Sequence, residues 1–251
     1  MALQMVPFLV ANLDRDKIIS EYYENYFESL CNAGLQGLGS SYFHNLIENY
    51  WVNQIPKRVL EVGAGTGEHL PFLSTLTLTN VETYSLLDIR SVSPNFNDFL
   101  QQLEIKDPDF KARKFCWVQG SVENIPFPDE SVDRVVSTCL FHHIENPLQA
   151  FQELRRVVVV GGEIAIGLPT DPGILNRAIK RVFTYPKAKK IGIANPELIY
   201  ALEHRNHING LIKIAKAAYS KDDFKVHYKP FGIKSWNLNL AVVIKVKKNE
   251  D

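Results

Sequence analysis

Arg58 to Leu70 reads RVLEVGAGTGEHL. Val59, Leu60 and Val62 form a short apolar run that ends in glycines at alternate positions, Gly63, Gly65 and Gly67. A short apolar run bounded by glycine reads as a buried strand. A loop in which every second residue lacks a Cβ lets a ligand or another backbone come close. With a helix expected over Glu68–Leu76, the stretch has the frame of a nucleotide-type site, because a helix start offers free N–H groups beside the turn.

Working outward, the same alternation continues. VETYSLLDI reads as a second strand and Asn95–Glu104 as a helix. KFCWVQG and SVDRVVSTCLF read as the third and fourth strands, a helix follows from Pro147 to Val157, and GGEIAIGLP is a fifth strand. Strands alternating with helices imply a mostly parallel sheet covered on both faces. The tail differs: DFKVHYKPF and SWNLNLAVVIKVKK, joined by GIKS, read as an antiparallel hairpin. Some fifty residues separate the fifth strand from this hairpin, too many for a plain crossover, so they are expected to form part of a cap. Before the first strand, 14–50 is aromatic-rich and reads as helical, with a glycine break between Gly34 and Gly39.

Bulk composition narrows the function. The chain has 251 residues, 28 basic and 28 acidic, so no global field points to nucleic acid or to a membrane. No apolar run approaches the roughly 20 residues that span a bilayer. MALQMVPFLVANLD lacks a basic start and meets Asp14 early, which does not resemble a secretory signal. The cysteines Cys31, Cys116 and Cys139 are odd in number, far apart and form no CxxC, so no disulfide framework or cysteine zinc site is expected and a cytoplasmic setting follows.

The glycine spacing decides the ligand. A dinucleotide fingerprint GxGxxG would place its last glycine at Glu68, and a P-loop would need GK[ST]; neither holds. EVGAGTG instead resembles motif I, E/DxGxGxG, of the class I S-adenosylmethionine-dependent methyltransferases. VQGSVENIPFPDESVDRVV and LFHHIENPLQAFQELRRVVVVGGEIAIGLP resemble later family segments in the same order, and the resemblance covers Val59 to about Pro169. It implies a doubly wound, seven-stranded, mostly parallel α/β sheet (Rossmann-like) with its last strand antiparallel and S-adenosylmethionine as cofactor. Glu61 would stand near the methionine amino group, and Gly63, Ala64, Gly65, Thr66 and Gly67 would pack on the cofactor. Asp88, 21 residues after Gly67, would accept from the ribose hydroxyls. Ser121 and Val122 would edge the adenine, and Thr138 would line the site. Ser121 replaces the usual aspartate and so bonds the adenine amino group more weakly than a charge would. Val159-Val160 replace the usual Lys-Pro, which alters a turn.

Outside these motifs, His142 and His143 follow the fourth strand, and either could serve as a general base or simply hold the loop. Glu203-His204-Arg205-Asn206-His207 is polar. Its HxxH lacks a third ligand in sequence, so no metal is expected; a solvated helix end and an acceptor-facing wall remain, with His204 and His207 as further candidate bases and Arg205 as a candidate substrate contact. Tyr22, Tyr23 and Tyr26 could close the cofactor pocket, with Tyr23 as a candidate substrate contact, because electron-rich rings favour a sulfonium. YPKAK, Tyr185–Lys189, matches the YxxxK pair of short-chain dehydrogenases, but Pro186 argues against a helix there. Ile174–Phe183 carries an apolar stripe on one side with Arg177, Lys180 and Arg181 on the other, which reads as a buried stripe and a solvated basic face; an acidic substrate or an anionic membrane surface are the alternatives.

The expected division is an N-terminal helical cap (1–56), a cofactor core (57–169), a helical cap insertion (170–222) and a closing hairpin (223–251). The expected reaction is methyl transfer to a small acceptor, first a hydroxyl of a sugar or other metabolite. An amine or quinone-like carbon is the alternative, as is a binding protein without turnover. No nucleic-acid partner or membrane span is expected, and weak peripheral membrane contact stays open. Sequence does not set the oligomeric state.

Overall fold

The computed structural model describes residues 14–25, 35–48, 55–73, 79–92, 96–106 and 114–250. Seven strands form one sheet: β1 (Arg58–Val62), β2 (Thr83–Asp88), β3 (Lys114–Gln119), β4 (Val132–Thr138), β5 (Val158–Pro169), β6 (Asp223–Lys229) and β7 (Ala241–Lys247), in the order β3-β2-β1-β4-β5-β7-β6. β1 to β5 pair in parallel, while β7 runs antiparallel between β5 and β6. The mostly parallel doubly wound sheet and its closing hairpin are therefore present. The hairpin's connection is longer than GIKS, running from Pro230 to Leu240 with a 3₁₀ turn at Trp236–Leu238.

The helices are α1 (Arg15–Asn25), α2 (Leu35–Glu48), α3 (Phe96–Lys106), α4 (Pro147–Val157), α5 (Ile174–Ile179), α6 (Tyr185–Lys190), α7 (Pro196–Glu203) and α8 (Ile208–Ala218). α2 runs straight through Gly37 and Gly39, so the expected break is absent there, and Gly34 lies outside the described residues. The expected helix at Glu68–Leu76 is, over its described part, a series of turns and a 3₁₀ turn at Leu70–Phe72. α4 begins where Asn146 accepts the Gln149 N–H and Pro147 occupies the first turn, a cap and start that the sequence announces.

Both sheet faces are covered. On one, Leu60, Val135, Ile164 and Ile244 pack against Phe151 and Leu154 of α4 and Leu211 and Ala215 of α8. On the other, Tyr84, Leu86, Val136 and Ala165 pack against Leu46 and Ile47 of α2 and Leu103 of α3. α8 thus belongs to the sheet's own helical layer rather than to a cap, and only α5 to α7 stand over the C-terminal edge after β5. Each fully buried leucine or phenylalanine contributes roughly 1.5–3 kcal/mol of transfer free energy, which fixes the strand ends that carry the site.

Candidate functional site

Where β1 ends, backbone conformation dictates glycine. Gly63 has φ +68°, and a Cβ there would meet the Leu140 side chain at 2.7 Å. Gly67 packs against Phe99 in the same way. At Gly65, φ +66°, an added Cβ would meet nothing nearer than Arg90 Nη2 at 3.7 Å, an ordinary contact, so of the three it alone has room for a methyl group. The loop's donors are already used: Gly63 and Ala64 N–H donate to Leu87 O (2.8 and 3.2 Å), Gly67 N–H to Ala64 O (2.8 Å) and Gly65 N–H to Asp88 Oδ2 (2.9 Å). A loop whose N–H groups bond the end of β2 is no phosphate cradle, which removes the dinucleotide reading.

Asp88 closes β2 and is buried. Its carboxylate also accepts from the Arg90 N–H and Nε, both at 3.0 Å. Ser121 and Val122 follow β3: the serine Oγ accepts the Glu123 N–H (3.1 Å), and Val122 is buried. Thr138 ends β4, half-buried. Thr66 Oγ1 donates to Glu68 Oε1 at 3.2 Å. These positions share the C-terminal edge of β1 to β4, where ligands bind in open α/β sheets.

Glu61 is different. It is 2% exposed and accepts the Tyr84 hydroxyl at 2.9 Å. Burial pushes its carboxyl up to about 7. It belongs to a buried polar group in which Glu48 of α2 meets both His69 Nε2 and Arg134 Nη1 at 3.3 Å. The carboxylate carried over for the methionine amino group is here engaged within the protein.

The second half of the edge lies past β4 and β5. His142 is fully buried, and its ring centroid stands 3.9 Å from that of His143 and 4.3 Å from that of His204. Residues 141, 142 and 144 are tied together by Asn206: its backbone N–H donates to His142 O (3.1 Å), and its side chain donates to Phe141 O (3.1 Å) and Ile144 O (2.6 Å). Asp171, two residues past β5, completes the group. Its Oδ2 accepts from His204 Nδ1 at 2.6 Å and from Lys180 Nζ at 2.5 Å, and that ammonium lies 4.2 Å from the Tyr200 ring centroid.

These contacts settle charges and tautomers. Burial pushes the Asp171 carboxyl up, but the bonds from His204 and Lys180 outweigh it and hold it at about 2. Burial lowers His204 to about 4 in spite of Asp171. At neutral pH the ion pair is therefore Lys180 with Asp171, and His204 is a neutral ring donating Nδ1–H, which leaves a lone pair on Nε2. His143 Nδ1 likewise donates to Glu203 O at 3.0 Å. Burial also lowers His142 and His143. One nitrogen of each of the three rings lies within 4.8 Å of the others, a donor set of the kind that holds a metal.

A cavity of about 240 Å³ adjoins this group, lined by Asp171, Arg177, Lys180, Tyr200, His204 and Asn206 among others. A larger one, about 690 Å³, lies at the opposite edge of the sheet. Its walls are charges engaged with one another, such as Arg156 with Asp129 and Lys248 with Glu130, away from every strand end that carries the motifs.

Of the sequence candidates, His142, His143 and His204 come together. His207 lines the cavity but is exposed at the start of α8, so the HxxH pair does not share a helix. Arg205 is exposed and pairs with Glu145 at 3.2 Å instead of lining the cavity. The Tyr23 side chain and Tyr26 lie outside the described residues, while Tyr22 is buried with Ala188 and Ile193. Tyr185 and Lys189 do share α6, because Pro186 takes a first-turn position where no N–H is needed, and Lys189 is exposed. Asp171 and Tyr200 escape the sequence reading, Lys180 reads there as part of a solvated face, and Asn206 only as part of a polar stretch.

Residues 60–166 match a family model described as a methyltransferase domain. The chain is similar to a biotin biosynthesis bifunctional protein of Cellvibrio japonicus, 31% identical over 131 residues that cover 51% of this chain and 23% of that protein. It is also similar to the chloroplastic 2-methyl-6-phytyl-1,4-hydroquinone methyltransferase of Arabidopsis thaliana, 30% identical over 115 residues, 46% of this chain and 31% of that protein. The chain thus spans less than a third of the length of these curated relatives. Among solved structures it resembles 1,6-didemethyltoxoflavin-N1-methyltransferase of Burkholderia thailandensis, crystallised with 1,6-didemethyltoxoflavin and S-adenosylhomocysteine. That likeness has a TM-score of 0.58 at 12% identity, covers 94% of this chain and 87% of that one, and at this identity concerns the fold alone.

Proposed function

We propose that the chain, whose residues 60–166 match a methyltransferase domain, is a class I S-adenosylmethionine-dependent methyltransferase and that it methylates a hydroxyl of a small polar metabolite, such as a sugar, held in the cavity beside His204 and Asp171. The residues at the C-terminal edge fit the cofactor: Gly65 is the one of the three loop glycines with room for a methyl group, and the Asp88 carboxylate stands beside it. Asp88 would hold the ribose, Ser121 and Val122 the adenine edge, and the loop from Gly63 to Gly67 with Thr138 the remaining wall. When bound, S-adenosylmethionine supplies a sulfonium methyl that an acceptor atom takes by in-line displacement. Since that methyl is already activated, the protein's main contribution is proximity and alignment.

A hydroxyl acceptor must also lose its proton. The observation that carries the proposal is the His204–Asp171 pair, with the ring fixed at 2.6 Å by a carboxylate that Lys180 keeps ionised. Nδ1–H is committed, Nε2 is the free base, and Asp171 stabilises the imidazolium formed on proton transfer. The lining offers Arg177, Glu197 and the hydroxyls of Tyr185 and Tyr200 as groups that could hydrogen-bond a polyhydroxylated acceptor. A second reading, ring-carbon methylation of a hydroquinone, draws on the Arabidopsis relative and needs the same proton removal.

Labelled methyl donor offered with fractions of small metabolites is the test. The proposal expects label on oxygen in a product whose formation drops at least tenfold in His204→Ala while S-adenosylhomocysteine affinity stays put. Label on carbon would favour the second reading. Absence of transfer to any fraction, with cofactor bound, would leave a binding protein and sink both.

A further inference from the structure

The apolar stripe of Ile174–Phe183 does not face the core. Ile174, Val182 and Phe183 are each at least 49% exposed, while Lys180, expected in solvent, is the buried residue. The inversion follows from a wide π turn over Lys180–Thr184 between α5 and α6, which swings the lysine inward to Asp171 and leaves its apolar neighbours outside. α5 packs against the β6–β7 connection: the Ile174 N–H donates to Asn237 Oδ1, and a Cβ on Gly173 would meet Trp236 O at 2.7 Å. That connection exposes Phe231, Ile233 and Leu238, again each at least 49%. Six of the twelve exposed large hydrophobic residues among those described therefore lie on two adjoining elements. The connection is held in shape from within, since the buried Asn239 side chain donates to Ile233 O and Ser235 O and accepts the Phe231 N–H, all within 3.0 Å. Its apolar side chains are presented by an ordered scaffold.

Charge follows the same pattern. The chain is neutral as a whole, yet 172–196 holds six lysines and arginines and 224–240 holds three, with no aspartate or glutamate in either. Arg177, Arg181, Lys189, Lys190 and Lys234 are exposed. Apolar side chains interspersed with cations, on short elements too small to span a bilayer, match the interfacial layer of a membrane, where rings and aliphatic chains enter among the acyl ends and cations meet anionic headgroups. RNA would call for stacking rings along a basic groove, and here only Phe231 and Phe183 among the six exposed apolar residues are aromatic.

We infer that the face formed by α5, the π turn, α6 and the β6–β7 connection docks on an anionic lipid surface. The helical stretch that carries the face also gives Arg177, Lys180 and Tyr185 to the acceptor cavity, so docking sets that cavity within about one helix diameter, roughly 10 Å, of the headgroups. The inference stands apart from the methyl-transfer reading and is measured without cofactor or acceptor.

The test is co-sedimentation of the full chain with vesicles of phosphatidylcholine alone and of phosphatidylcholine mixed with phosphatidylglycerol. We expect binding to the mixed vesicles only, weakening as ionic strength rises from about 0.1 to about 1 M, where the Debye length shrinks from ~10 to ~3 Å. Replacing Val182 and Phe183 together by Glu should abolish it. Arg181→Ala and Lys190→Ala should each weaken it about fivefold, the equivalent of ~1 kcal/mol per cation at the surface, and Ile105→Glu, on α3, should leave it unchanged. Circular dichroism of each variant separates loss of the face from loss of the fold. No binding to mixed vesicles, equal binding to both kinds, or binding indifferent to Val182 and Phe183 would overturn the inference. So would a dimer that the double variant dissociates, or preferential binding of single-stranded RNA over the mixed vesicles.

Discussion

The glycine loop after β1 and the histidine group past β4 and β5 stand at the same edge of one sheet, yet they are built by opposite means. The loop is local. Within ten residues a strand ends, three glycines turn the chain, and the free N–H groups close on the neighbouring strand end at Leu87 and Asp88. The histidine group is assembled from 142–143, 171, 180 and 204–206, segments that no short pattern joins. The first region is shaped by backbone and tolerates little; the second is shaped by a single carboxylate that satisfies two buried partners.

That contrast sets the sizes of the expected effects. The largest should come from Asp171→Ala. It strands the Lys180 ammonium, whose side chain is only 10% exposed, and removal of one partner of a buried pair costs about 3–5 kcal/mol. Urea unfolding measures it, and Lys180→Met in the same chain should recover much of the loss. If Asp171→Ala alone is as stable as wild type, the carboxylate does not organise the group.

Acid should separate the regions next. His142, His143 and His204 are held below the ordinary histidine value, as is His44 of α2, at about 3. The unfolded chain takes up protons near 6.5 that the folded chain refuses until far lower pH, so their contribution is complete above 6.5 and is lost as pH falls toward 4. Each such proton is worth about 1.4 kcal/mol per pH unit. Glu61, raised to about 7, works the other way, favouring the folded state below its own value, and as one group against four it only reduces the slope. Thermal midpoints measured from pH 7 to pH 4 should fall steadily; a flat profile would mean that the rings are not buried as neutral groups.

At the cofactor end, Asp88→Ala should weaken S-adenosylhomocysteine by about 1.5–3 kcal/mol, the worth of a hydrogen bond to a charged group, with calorimetric titration as the measure. Unchanged affinity would remove Asp88 from the site. The two loop glycines should then divide. Both Gly63→Ala and Gly65→Ala strain a left-handed backbone by about 1–2 kcal/mol, but only the first also drives a methyl into Leu140. Gly63→Ala should therefore lose more stability, and Gly65→Ala should lose cofactor affinity out of proportion to its stability. The smallest effect belongs to Arg205→Ala, an exposed residue outside the cavity lining, whose replacement should stay within about 0.5 kcal/mol in stability and leave methyl transfer near wild type. A large loss of transfer there would move the proposed acceptor site outward.

Legibility in the sequence follows the same division. β1 to β5, α4 and the closing hairpin could be read because apolar runs, an Asn-Pro helix start and glycine turns act over a few residues. The positions expected to meet the cofactor could be placed at strand ends because their spacing is tied to those ends. The acceptor side could be read only as a list of histidines: which of them meet depends on Asn206 bonding Phe141 O and Ile144 O across more than sixty positions. Asp171 went unread because nothing nearby marks a carboxylate whose partners lie 9 and 33 residues away. Lys180 was misplaced because a helical period assumed constant turns it outward.

The π turn has one more consequence. In an ideal α-helix, Lys180 and Ala188 would be about 80° out of phase, eight residues at 100° apiece falling past two full turns. Yet both are buried, Lys180 on Asp171 and Ala188 against Tyr22 and Ile193. The wide turn acts as a phase shifter that lets one continuous helical stretch serve two interiors. A single-residue deletion between Lys180 and Thr184 that turned the wide turn into ordinary helix would leave the two residues seven apart, about 20° short of two full turns at 100° apiece, so both could stay seated. The wide turn is thus the place where this stretch absorbs one extra residue without disturbing either seat.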